Sequence, residues 1–211
     1  MYKSSIRTTA VLLAVWLLLL GLLSAGGFFA DFSALPPRLS FALLAPLAVL
    51  LIFLRRQPGR ALLQQIAPQW PVYLQSFRIA VEAGIWLLVR RGALPLQMSF
   101  EGRNFDITIG VMAFPVGYYC FVRKVWSPAV ALGYNIAGLL SLINIVTISV
   151  LSMPTPLRVF HNQPDSSLLS RFPYIYLPGL LVPLAYTLHI LSIAGFFRMR
   201  QPSGIRKGLG A

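Results

Sequence analysis

A chain of 211 residues that is 57% hydrophobic and only 11% charged, with a mean hydropathy of +0.73, is too apolar for an ordinary water-soluble domain. One cysteine excludes an intrachain disulfide and any cysteine-rich metal centre. The 18 Lys+Arg against 5 Asp+Glu leave a net charge of +13 whose placement needs a reason.

A helix crossing a hydrocarbon core of about 30 Å needs about 20 mostly apolar residues. Six such runs are predicted: Thr9 to Phe29, Leu35 to Leu54, Trp70 to Val89, Phe105 to Val122, Trp126 to Leu151 and Ile175 to Phe197. The expected fold class is all-α integral membrane, with residues 1–211 as a single transmembrane helical domain. Lys3 and Arg7 before the first run and Ser24, Ala25 and Gly26 toward its end resemble a signal peptide. Its apolar stretch is longer than the usual signal core of about 7 to 15 residues, so a retained anchor is expected.

Basic residues in short loops stay on the cytoplasmic side. One set of segments holds Lys3, Arg7, Arg55, Arg56, Arg60, Arg123, Lys124, Arg198, Arg200, Arg206 and Lys207. The opposite loops hold Arg38, Arg90, Arg91, Arg103, Arg158 and Arg171. Both termini are therefore expected to be cytoplasmic. The bases are scattered over short segments with no folded domain to present them, which argues against nucleic acid and for anionic lipid head groups as the partner. Between the second and third spans, Gly59 to Pro71 reads as a short interfacial helix or, equally, an ordinary loop.

The third span carries Gln75, Arg78 and Glu82 at steps of three and four, within an arc of about 60° on one face. An ionisable side chain deep in lipid costs several kcal/mol unless paired or hydrated, so this face is expected to turn inward. Arg78 and Glu82 are four apart and are expected to pair. At a rise of about 1.5 Å per residue, Arg78 sits about 12 Å from the cytoplasmic end, level with Asn135 in the fifth span and His189 in the sixth. Spans three to six are expected to enclose this cluster, with spans one and two as a lipid-facing flank. The same contacts would equally serve only to fasten helices.

The loop before the fourth span contains Glu101, Arg103, Asn104 and Asp106, and the loop before the sixth contains His161. Such mixed chemistry exceeds what a spacer needs, which makes these residues a candidate outer-loop site. For Asp106 a helix-capping role is favoured. No H-E-x-x-H, C-x-x-C, phosphate loop or nucleophile elbow occurs, and two histidines with one cysteine assemble no metal set, so no cofactor is expected and an enzyme is disfavoured. Bis-histidine haem fails because His161 lies about 20 Å from His189 along the membrane normal.

The stretches Phe100-Glu101-Gly102-Arg103-Asn104-Phe105-Asp106-Ile107 and Phe172 to Pro183, followed by His189, resemble segments of small bacterial multi-pass inner-membrane proteins of uncharacterised activity. That resemblance implies a bacterial inner membrane and no particular reaction. The leading expectation is a site that binds or conducts a small solute or relays protons. The alternatives are an accessory subunit with a protein partner or second copy, and an intramembrane enzyme.

Overall fold

The computed structural model describes residues 2–56, 59, 61 and 65–200. Among them the chain is entirely helical, without strands. The helices are α1 (Tyr2–Ala25), α2 (Leu39–Arg55), α3 (Gln69–Arg90), α4 (Asp106–Val122), α5 (Pro128–Leu151) and α6, which opens with a π-helical turn (Leu177–Leu181) and continues over Val182–Arg200. Three of them, Gln69–Arg90, Pro128–Leu151 and Leu177–Arg198, are long and apolar enough to cross a membrane. Residues 60 and 62–64 of the expected interfacial helix from Gly59 to Pro71, and the basic residues Arg206 and Lys207, lie outside the described residues.

Local chemistry explains the helix limits. α1 ends at Ala25, short of the expected Phe29, because Gly27 takes a left-handed φ of 75° that starts a separate 3-10 turn, Phe28–Ala30. α5 starts where Ser127 Oγ accepts from Ala129 N at 3.3 Å and Pro128 occupies the first helical position. Pro183 in α6 has no N–H to give the Gly179 carbonyl four residues back, and Trp16 Nε1 of α1 donates to that carbonyl at 2.8 Å. A Cβ at Gly179 would run into Leu20, which is fully buried, so the glycine also lets α1 approach closely.

The other face of α1 leaves Val11, Leu12, Val15, Leu18 and Leu22 exposed, and α2 exposes Phe41, Leu44, Val49 and Ile52. Apolar surface of this extent suits acyl chains and not water. Two apolar clusters fill the interior. One gathers Leu39, Ala42, Ile85, Met98, Ile145 and Ile175, and the other Val72, Ile109, Ala113, Val116, Cys120 and Tyr134. Along α3, Val72 belongs to one and Ile85 to the other, and the polar stripe lies between them.

The two long loops fold against each other at one end of the bundle. Gln97 and Asn162 exchange amide hydrogen bonds of 3.1 and 2.9 Å, and Gln97 Nε2 also donates to Ser152 Oγ at 3.0 Å. The α3–α4 loop buries Leu94, Met98, Ser99 and Asn104, so it descends into the bundle instead of lying over it.

Candidate functional site

The stripe on α3 faces inward as its spacing predicts: Gln75, Arg78 and Glu82 are buried, while Ala80, Gly84 and Leu87 are exposed. The expected Arg78–Glu82 pair is not formed. Arg78 Nη2 makes its ion pair with Asp106 Oδ1 of α4, and the same carboxylate oxygen accepts from Ser141 Oγ of α5. Register explains the exchange of partner. Gly110 abuts Arg78 and Ile79, and Gly117 abuts Tyr73, so α4 runs antiparallel to α3 with Asp106, one turn before Gly110, beside the Arg78–Glu82 turn. The mixed chemistry of the segment before the fourth span placed Asp106 in an outer-loop site, and composition carries no sign that this loop descends into the bundle.

Asp106 is also not the expected cap. It is the first residue of α4, and the side chain that accepts its backbone N–H, at 3.0 Å, is Asn104. Asn104 Nδ2 donates to Glu82 Oε1 at 2.6 Å and to the Met98 carbonyl at 3.0 Å. One buried asparagine therefore caps α4, pins the loop and holds Glu82.

A second line of bonds runs from Arg78 across α6 to α5. Arg78 Nη1 lies 3.1 Å from His189 Nε2, and His189 Nδ1 lies 2.8 Å from Asn135 Oδ1. Arginine has only donors, so Nε2 accepts, and Nδ1 carries the ring proton and donates to Asn135. Asn135 Nδ2 then donates to Ser192 Oγ at 2.8 Å and to the Ala131 carbonyl at 2.6 Å. A Cβ on Gly138 of α5 would overlap the His189 ring, and the Tyr134 ring lies 5.9 Å from it. Gln75 Nε2 donates to the Ala185 carbonyl of α6 at 3.0 Å.

Five buried atoms of this region have no hydrogen-bond partner among the described residues: Gln75 Oε1, Arg78 Nε, Arg78 Nη2, Glu82 Oε2 and Trp86 Nε1; of these, Arg78 Nη2 has its ion pair with Asp106. Glu82 is 1% exposed and has no cationic nitrogen within 4 Å among them. Beside it opens a cavity of about 250 Å³ between α2, α3, α5 and α6. Its polar lining is Glu82, Asp106, Ser40 and Ser149, and the remainder is apolar, including Leu43, Ile85, Ile145 and Val182.

The expected outer-loop site divides. Asn104 and Asp106 join the buried centre, whereas Glu101, Arg103 and His161 stay exposed at the loop end. Arg103 places its guanidinium 5.4 Å from the Phe160 ring centre, and its carbonyl accepts from Asn144 at 2.7 Å. Sequence reasoning missed Ser141 as a member of the centre, whereas Ser192 and Gly138 share a helix face with His189 and Asn135 by their spacing of three. Ser141, six residues from Asn135, lies on another face of α5 and meets Asp106 instead of the histidine–asparagine chain. Among the described residues no group of three His, Cys, Asp or Glu side chains is placed to hold a metal ion.

No protein-family model, curated protein or solved structure matches the chain.

The assembled centre can hold one proton or one donor group at Glu82 while a neutral ion pair and a directed histidine–asparagine chain fix the helices around it. Arg78 neutralises Asp106, which leaves Glu82 as the acid without a countercharge.

Proposed function

We propose that this is a six-span protein of a bacterial inner membrane, with both ends cytoplasmic, whose centre between α3 and α6 binds a small solute or carries protons. The observation that supports it is Glu82: a buried acid with one oxygen held by Asn104, the other unpartnered, and a cavity alongside. Groups of this kind in a membrane interior are costly and mark solute or proton sites more often than other positions do. Arg78, Asp106, His189, Asn135 and Gln75 act as the frame that holds Glu82 at its depth. The test is acid-pulse proton uptake by vesicles reconstituted with the protein. Glu82→Gln is expected to abolish uptake and His189→Ala to reduce it, at unchanged protein content. Unchanged uptake in both variants overturns the reading.

A second reading, an accessory subunit, is favoured by the loop end, where the Gln97–Asn162 bonds fix two loops that present Glu101, Arg103 and His161 outward. Purification in mild detergent separates the two, because a stoichiometric protein partner supports the accessory role and a lone homo-oligomer argues against it.

A further inference from the structure

We propose that the cavity beside Glu82 takes a short amphiphilic amine, a hydrocarbon chain ending in a protonated nitrogen, drawn from the bilayer itself. The inference rests on the binding role given to Glu82 above and names the ligand class.

Three observations define that class. The wall is hydrocarbon over most of its extent, contributed by Leu39, Leu43, Val81, Ile145, Val150 and Leu169, so a hydrated ion or sugar would lose its water without replacement. The acids Glu82 and Asp106 both reach this cavity, but Asp106 already has the Arg78 guanidinium as countercharge and the Ser141 hydroxyl as donor, both on Oδ1. Glu82 Oε2 is unpartnered, and its residue is 99% buried, so the site lacks one donor, and a positively charged donor fits best. Leu44 lines the cavity yet is 55% exposed on the outer face of α2, so the cavity reaches the surface that faces acyl chains. A ligand arriving that way has to be soluble in lipid.

Size limits the chain length. At about 250 Å³ the cavity is smaller than the roughly 300–1,000 Å³ of sites for drug-sized ligands, which excludes a two-chain phospholipid. The ammonium would pair with Glu82 Oε2 and the chain would run along Ile145, Ser149 and Val150 toward Leu44. A proton competes for the same oxygen, so amine binding and protonation of Glu82 exclude each other, and an amine leaving the site can be exchanged for a proton.

The test uses octylamine, octanol and octanoate, which share a chain and differ in the head group, against the purified full-length protein in detergent. The readout is the thermal unfolding midpoint as a function of ligand concentration. Octylamine is expected to raise the midpoint with saturation, and octanol and octanoate to do so at least ten times more weakly. Glu82→Gln, which keeps the Asn104 contact and the side-chain volume, should remove the preference for octylamine. Ser149→Leu, which fills the cavity away from the acid, should weaken binding without touching Glu82. Equal effects of octylamine and octanol, or an octylamine preference that survives Glu82→Gln, would overturn the proposal by showing a slot for hydrocarbon alone. Should that happen while Glu82→Gln still abolishes proton uptake, the ligand class fails and the proposed function stands. If the octylamine preference survives Glu82→Gln and proton uptake is unchanged in both Glu82→Gln and His189→Ala, both readings fail.

Discussion

Glu82 and Asp106 are two buried acids lining the same cavity, yet their surroundings differ in every respect that matters for function. Asp106 has an arginine and a serine hydroxyl on one oxygen, and its helix is anchored through Asn104. Among the described residues Glu82 has a single amide donor and an oxygen with no partner. A buried acid with a countercharge and a hydroxyl donor from two neighbouring helices fixes one arrangement of those helices, whereas a buried acid without a countercharge keeps the capacity to bind something else. The Asp106 side of the centre therefore reads as framework and the Glu82 side as the working group.

The sharpest way to break that contrast is Asp106→Asn. It leaves the Arg78 guanidinium buried without a countercharge, and removing one partner of a buried pair costs about 3–5 kcal/mol. The expected outcome is loss of folded protein, measured as yield of monodisperse material in mild detergent. Next in size is Gly138→Val, whose side chain would collide with the His189 ring and separate α5 from α6. Overpacking of this kind costs about 1–3 kcal/mol, read as a lowered thermal unfolding midpoint with Arg78 and Asp106 intact. If Asp106→Asn proved milder than Gly138→Val, the ion pair would not be the main fastening of the centre.

Much of this centre was legible in the sequence, and the reason is geometric. The three-and-four spacing of Gln75, Arg78 and Glu82 requires a common face, and the equal depth of Arg78, Asn135 and His189 follows from a fixed rise per residue. Both arguments depend only on helix periodicity, and the structure joins all three of the latter residues by hydrogen bonds. What could not be read is the partner of each charge. Spacing favoured Arg78 with Glu82 on one helix, but pairing is decided by the register between α3 and α4, which is set by Gly110 and Gly117 and by a loop that dips inward. A loop's path depends on where Leu94, Met98 and Asn104 find burial, and no periodicity encodes that. The same gap explains why Asn104 was assigned to an outer site when it binds Glu82 at the centre.

A smaller effect is expected at Glu82 itself. Glu82→Gln retains an acceptor for Asn104 and removes an unpaired acid, and single hydrogen bonds between membrane helices contribute about 1 kcal/mol or less. The unfolding midpoint should therefore change little even as proton uptake disappears. A large loss of stability with this variant would mean that Glu82 belongs to the framework after all, and the contrast with Asp106 would fall.

The smallest effect concerns a third acid, Asp31, which makes the same kind of ion pair in water. Its carboxylate lies 2.7 Å from Arg38 and accepts from the Ser33 hydroxyl and backbone N–H at 2.6 and 3.0 Å. The Ser33 hydroxyl first, then the Ser33 N–H and Arg38, hold the Asp31 carboxyl below its ordinary value of 3.8. A depressed folded-state value means that its contribution to stability is complete above the unfolded value and disappears as pH falls through the folded one. The midpoint difference between the native protein and Asp31→Asn should thus be slight at neutral pH, unchanged down to about pH 5, and vanish on further acidification. Added salt should reduce it as well, because solvent screens an exposed pair. Salt should affect the Arg78–Asp106 pair far less, since both side chains are buried away from water. If salt weakened both pairs alike, as judged by midpoints of Asp31→Asn and the native protein across ionic strengths, the centre would be open to solution, and burial could not be what separates Asp106 from Asp31.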